Sequence, residues 1–351
     1  MNKNCPNCDQ PLKDNARFCT FCGFDTNSHV TQHQKKKSFL NFSNNLLFSL
    51  AFLSCIIMVF VLVTEALCLI LNIGNVFDLL ETMKVSFIVV LPTPTVFFTA
   101  PYWLGQIYWI LVVIIILVCF IWAIKKFYEG LKTATTDNSD SPVERTGLFW
   151  VCILMTGMLT IQITYIAIIF FFGITIDTSW IDKYTQTELM YMLADAAVWE
   201  EIITRVLYIG VPVMIIALVI KKDKSSWRYL FGGFKMTKIA VVFIIFSAIM
   251  FGLAHNQGWG SGKIFIAALM GLAEGYLFVR FGLYASILLH FANDYLTSFI
   301  WLGMSTAISG SITLLILFAG IPAAIYFIYR FLHSTKNFKN LPIINDRFEK
   351  N

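Results

Sequence analysis

Charge is scarce in this chain. Only 13% of its 351 residues are Asp, Glu, Lys or Arg, against 58% hydrophobic residues and a mean hydropathy of +0.72. That shortage excludes a soluble globular protein of this length, whose surface would need far more polar side chains. No cleavable signal peptide is expected either: the first apolar run starts near Leu46, behind a polar, cysteine-bearing segment. There is no internal repeat and no long low-complexity tract. The net charge of +5 comes from Lys and Arg scattered among loops, which argues against a nucleic-acid partner and for basic loops beside a membrane. "SGK" at 261–263 follows neither a strand nor a Gly-rich loop, so it is not a phosphate site. What remains is an all-α polytopic membrane protein with the lipid bilayer as its solvent.

About eight transmembrane helices are expected, over roughly 46–73, 104–125, 147–173, 190–220, 238–256, 262–281, 283–303 and 307–330. The segment 76–101 is apolar but broken by "LPTPT", which suits an interfacial or re-entrant piece on the outer side better than a span. Lys35, Lys36 and Lys37 precede the first span. The loops at 125–146 and 221–237 are basic, and the loop at 174–189 is acidic on balance. The positive-inside rule then places both termini on the cytoplasmic side of what is expected to be a plasma membrane.

Four of the eight cysteines stand in two C-x-x-C pairs, Cys5 with Cys8 and Cys19 with Cys22. Each pair sets two thiolates on one turn, and four make the tetrahedral sulfur site that zinc prefers. We expect a zinc ribbon with structural Zn2+ over two disulfides or a redox pair, since so short a segment needs a staple to fold. Such a module suits recruitment of a protein partner. Cys55, Cys68, Cys119 and Cys152 lie singly in apolar runs and read as small packing residues. The expected organisation is a ribbon at 1–28, a polar basic linker at 29–45, two transmembrane helices with their loops at 46–145, a membrane domain at 146–331 and a cytoplasmic tail at 332–351.

Within the apolar domain a few charges stand out. "VWEEIITRV" puts Glu200, Glu201 and Arg205 into an apolar helix. Each ionised group near the bilayer centre costs on the order of 2.5–3.5 kcal/mol. Glu201 and Arg205 are four apart and can pair on one face. Glu200 points about 100° away and is left for a water, a metal or a histidine of another helix. The bland alternative is a solvated helix end. Two intramembrane histidines weigh against it: His255 closes "IFSAIMFGLAH", and His290 lies in "YASILLHFAND", four before Asp294 and beside Asn293. A carboxylate, two imidazoles and an Asn or Asp are the parts needed to activate water and hold an oxyanion. Rise per residue puts Glu200 and His255 toward the outer side and His290 nearer the inner end, so these groups meet only if helices tilt, protrude or join within the bilayer. Gly271 and Gly275 form a G-x-x-x-G that permits close helix packing, and Glu274 between them reads as a packed or hydrogen-bonded residue ahead of a cavity-lining one, as does Glu65 in the first span.

These residues resemble a known set. "EEIITR", "FGLAH" with Phe251 and His255, and "HFAND" with His290 and Asp294 are similar to the three ordered motifs of the CAAX-processing and bacteriocin-processing (CPBP or Abi) membrane endopeptidases, over about residues 185–305. Two positions depart from the pattern: Val206 follows Arg205 where the family usually has Gly, and Asp294 stands where many members have Asn. The resemblance implies peptide-bond hydrolysis in a membrane-embedded cavity. Glu200 would be the base, helped by His255, and His290 with Asp294 or Asn293 would stabilise the tetrahedral intermediate. Glu201 and Arg205 would form a pair that orients Glu200. It leaves a catalytic metal open, and it points to a peptide or membrane-protein substrate, with peptide maturation or bacteriocin immunity as the setting. Two other functions compete. A scaffold recruiting a partner through the ribbon would not need the intact polar set. A divalent-metal transporter would be expected to show a second, symmetry-related half with broken helices.

Overall fold

The computed structural model describes residues 26–90, 93–137, 141–222, 224–297, 305–335 and 341–344. Cys5, Cys8, Cys19 and Cys22, and with them the expected zinc ribbon, lie outside the described residues. The chain divides between Leu50 and Ala51 into two units. In the first, helix α1 (Thr26–Leu71) already begins at Thr26, so the stretch read as a linker is helical from there.

In the second unit, α1 is followed by α2 (Ile73–Leu79) and by a hairpin of β1 (Val85–Val90) and β2 (Pro94–Ala100). Then come α3 (Tyr102–Asp137), the single turn α4 (Ser141–Glu144) and α5 (Gly147–Phe171). The helix α6 (Gln186–Glu201) runs into a π-helical stretch (Ile202–Gly210) and on into α7 (Val211–Lys221). The remaining helices are α8 (Lys238–Ala254), the short α9 (Asn256–Trp259), α10 (Ser261–Phe281), α11 (Leu283–Asp294) and α12 (Thr306–Thr335). Among the described residues, seven helices are long and apolar enough to cross a membrane, which makes this a polytopic all-α membrane protein.

Two departures from the expected spans shape the site. The stretch read as a span at 283–303 is not one long helix. α11 stops at Asp294, where Asn293 and Asp294 interrupt the apolar run and the Tyr295 hydroxyl donates to the Met190 carbonyl on α6 (2.6 Å). α11 is instead an internal helix, buried from Ala285 to Ala292 and packed against α3, α5, α6 and α10. Conversely, the helical unit Gln186–Ile220 has 35 residues, about 50 Å at ~1.5 Å per residue, and so exceeds a ~30 Å hydrocarbon layer. Glu200 thus sits near its middle, and the mismatch in depth with His290 disappears. The segment 76–101, expected to be interfacial or re-entrant, is mostly the antiparallel hairpin, with a bulge between Phe87 and Ile88.

Local sequence explains the helix ends near the site. Thr185 and Glu188 form a reciprocal capping box that starts α6, with Glu188 N–H donating to Thr185 Oγ1 (3.2 Å) and Thr185 N–H to Glu188 Oε2 (2.7 Å). Gly260 (φ 75°) separates α9 from α10, and Gly282 (φ 111°) separates α10 from α11, both in a region that disfavours other residues. The G-x-x-x-G on α10 sets its distance from α8. A β-carbon on Gly271 would lie 3.0 Å from Ala248 Cα, and one on Gly275 would lie 3.0 Å from Ile244 Cγ2. Gly271→Leu is therefore expected to lower stability by at least ~1–3 kcal/mol, the usual cost of overpacking. Gly74→Ala, where a β-carbon meets nothing within 4 Å, should leave the thermal midpoint in detergent unchanged. Equal midpoints for the two variants would contradict this packing.

Candidate active site

The centre of the site is Arg205, fully buried in the π-helical stretch. Its Nε donates to Glu201 Oε2 (3.1 Å) and its Nη2 to Glu201 Oε1 (3.3 Å), the pairing expected from their spacing. Nη2 also donates to Glu274 Oε2 on α10, and Nη1 donates to Ser247 Oγ on α8 (2.7 Å). Ser247 in turn donates to the Thr204 carbonyl (2.6 Å). The Phe251 ring covers the guanidinium at 5.3 Å. One cation thereby ties three helical segments together. Glu274, read from sequence as a packed or hydrogen-bonded residue, is this second carboxylate.

Glu201 also binds α11. Its Oε1 accepts from His290 Nδ1 (3.0 Å), and its Oε2 accepts from the Ser286 hydroxyl. A carboxylate can only accept, so His290 carries a proton on Nδ1 and presents Nε2 to the other side. There Nε2 lies 3.4 Å from Asp294 Oδ2 and 3.9 Å from Glu200 Oε2. The pair Glu201 and Arg205 therefore acts first on His290, fixing its ring, and reaches Glu200 only through the backbone. Glu200 is held otherwise: Thr204 Oγ1 donates to its main-chain carbonyl (2.5 Å), while its carboxylate makes no direct hydrogen bond among the described residues and is 36% exposed, against 5% for His290.

His255 lies at the end of α8. Its Nδ1 donates to the Phe251 carbonyl (2.8 Å), which leaves Nε2 bare in the neutral ring. Phe251 stands between the two histidines, 4.6 Å from the His255 ring and 5.7 Å, edge on, from that of His290. Asn293 is set behind Asp294. Its Nδ2 donates to Asp294 Oδ1 (3.0 Å), and its Oδ1 accepts from Gln162 of α5 (3.3 Å). It therefore supports Asp294 and makes no hydrogen bond to Glu200 among the described residues. Glu65 is fully buried in α1, with neither carboxylate oxygen hydrogen-bonded among the described residues.

The polar residues Ser247, Ser286 and Thr204 were not read from the sequence. A signal for two of them was present. Ser247, Phe251 and His255 recur every four residues, as do Ser286, His290 and Asp294, so each set follows one helix face. Ser247→Ala removes a buried partner of the guanidinium. It is expected to lower stability by about 1–3 kcal/mol, seen as a lower midpoint in thermal unfolding. An unchanged midpoint would mean that the serine carries none of this load.

Whether these residues suit a metal can be judged from the donors. Glu201, Glu274 and His290 offer three ligand atoms within 4.8 Å of one another. The same carboxylates are already ion-paired to Arg205, and Glu201 further accepts from Ser286 and His290. A divalent cation there would sit against a guanidinium and displace its partners, so the donor set does not fit a metal.

Residues 185–296 match the family model described as type II CAAX prenyl endopeptidase Rce1-like, a stretch that contains every side chain from Glu200 to Asp294 named above. No curated protein and no solved structure matches this chain. The three motifs, the helices that carry them and the family match coincide: over residues 185–296 this multi-pass membrane protein is similar to the Rce1-like type II CAAX prenyl endopeptidases.

Proposed function

We propose that this protein is an intramembrane endopeptidase in which Glu200 activates water without a metal. The observation that carries this reading is the placement of Glu200. Its carboxylate is free of direct hydrogen bonds among the described residues and faces His290 Nε2 across 3.9 Å, a gap wide enough for one bridging water. A water there gives one proton to Glu200 as its oxygen attacks the scissile carbonyl carbon, while its second hydrogen stays on that oxygen and donates a hydrogen bond to His255 Nε2. The carbonyl oxygen gains the negative charge. His290, protonated on both nitrogens, donates from Nε2 to that oxygen, and Asp294 and Glu201 stabilise the imidazolium. Collapse of the tetrahedral centre breaks the C–N bond, and the proton held by Glu200 passes to the leaving amine.

The substrate class that fits the family match is a peptide with a lipidated C-terminal CAAX-type end, reached from within the bilayer. The basic loops at 125–146 and 221–237 support an orientation with both termini in the cytoplasm. A zinc-bound ribbon would then stand at the cytoplasmic face and recruit a partner.

The test uses the full-length protein in liposomes with a prenylated fluorogenic peptide. Cleavage is expected, and it should persist undiminished after treatment with a strong divalent-metal chelator. Loss of activity on chelation, restored by added metal, both in the wild type and in a Cys19→Ser, Cys22→Ser variant that lacks the ribbon ligands, would overturn the metal-free mechanism. No cleavage of any C-terminal peptide would remove the CAAX-type assignment.

A further inference from the structure

The hairpin is the only sheet among the described residues, and it has two strands only. Beyond their mutual pairing, β1 and β2 have no further main-chain partner among the described residues. Unpaired backbone groups are costly where water is excluded, and an open strand edge is a template for another extended chain. β1 makes one polar contact beyond β2. The Trp199 indole N–H donates to the Ile88 carbonyl at 2.7 Å, and Trp199 immediately precedes Glu200. Phe87 pins the strand there, meeting Trp199 edge-on at 4.9 Å and Tyr108 at 4.8 Å, while the Tyr108 hydroxyl donates to Asp195 Oδ1 (2.5 Å) one turn earlier on α6. β1 also touches α8, the helix that ends at His255. One strand with an unpaired edge thus lies against both helices that supply the proposed base and its helper.

We propose that the open edge of β1 is the docking strand for the substrate. The extended peptide segment beside the scissile bond adds to it as a third strand and is delivered to Glu200. This rests on the endopeptidase reading. A helical peptide hides its carbonyls in its own hydrogen bonds, so water can attack only after the segment is drawn out, and a strand edge supplies main-chain partners for the drawn-out form. Side chains alternate along a strand, and so do its main-chain groups, so Ser86 and Val90 share the edge of Ile88. The indole on Ile88 ends the pairing at the residue next to Glu200. The exposed Ile88 on β1, with Val96 and Phe98 exposed on the paired strand β2, makes the hairpin surface apolar and favours an occupant with apolar side chains.

The experiment scans a cleavable peptide with single N-methyl amides against the wild-type protein. Methylation should raise KM about tenfold at alternate residues on one side of the scissile bond, each lost hydrogen bond being worth roughly that factor, and leave kcat unchanged. Ser86→Pro should raise KM for the unmethylated peptide in the same way. In Glu200→Gln protein, a photoreactive residue in the bound peptide should cross-link to β1. A scan without period two, or cross-links that avoid β1, would overturn the docking strand while leaving the peptidase intact. With the photoreactive residue placed instead at Ser86, cross-links between two copies that added peptide does not suppress would overturn it in favour of a self-association edge. Cleavage by Glu200→Gln would remove the reading beneath it.

Discussion

Glu200→Gln is expected to abolish peptide cleavage, by about 10³-fold or more, within the range lost when a positioned general base is removed. Folding should be untouched. The carboxylate makes no direct hydrogen bond among the described residues and is a third exposed, so the isosteric amide leaves no buried group stranded. The measurement is a single-turnover rate in liposomes beside a thermal midpoint in detergent. Glu201→Gln, one residue on, should behave differently. It removes a charge shared by Arg205 and hydrogen bonds from Ser286 and His290, so midpoint and rate should fall together. If the two variants had the same signature, the division between a free base and a paired anchor would fail. Wild-type cleavage by Glu200→Gln would end the general-base assignment.

Arg205→Met is expected to damage the fold more than any other single change at the site. The guanidinium is fully buried between Glu201 and Glu274, and its removal leaves two carboxylates facing each other without a cation. Breaking such a pair typically costs about 3–5 kcal/mol, a large share of the stability of most domains. Arg205→Lys should recover only part of this, because an ammonium cannot reproduce the fork that meets Glu201, Glu274 and Ser247 at once. Arg205→Met combined with Glu274→Gln should be more stable than Arg205→Met alone, since it removes one stranded charge. Equilibrium unfolding in mixed micelles measures all three. A double variant no better than the single one would show that Glu274 does not depend on the arginine.

Much of this site is legible in the order of residues. Glutamates and an arginine inside an apolar run announce themselves by their cost, and the four-residue spacings of Glu201 with Arg205 and of His290 with Asp294 place each pair on one face before any contact is known. Other features were legible only in part. "LPTPT" marks a break, and Val85–Val90 is rich in β-branched residues, yet nothing local says that the two apolar arms pair or that Trp199 reaches Ile88. Glu274 shows the same limit: a helix-packing glycine motif surrounds it, and its meeting with Arg205 depends on how α10 lies against α8 and the π-helical stretch.

From its sequence alone this chain was bound to be a bundle of membrane helices with a costly polar core, since hydropathy and the price of buried charge are properties of the residues themselves. Only the tertiary structure decided that Glu201 serves His290, that Arg205 holds a second carboxylate, that α11 stops inside the protein, and that a strand edge lies beside Glu200. Those outcomes depend on groups from 42 to 111 positions apart meeting at hydrogen-bond distance, and such meetings are set by how helices pack, which spacing along the chain does not record.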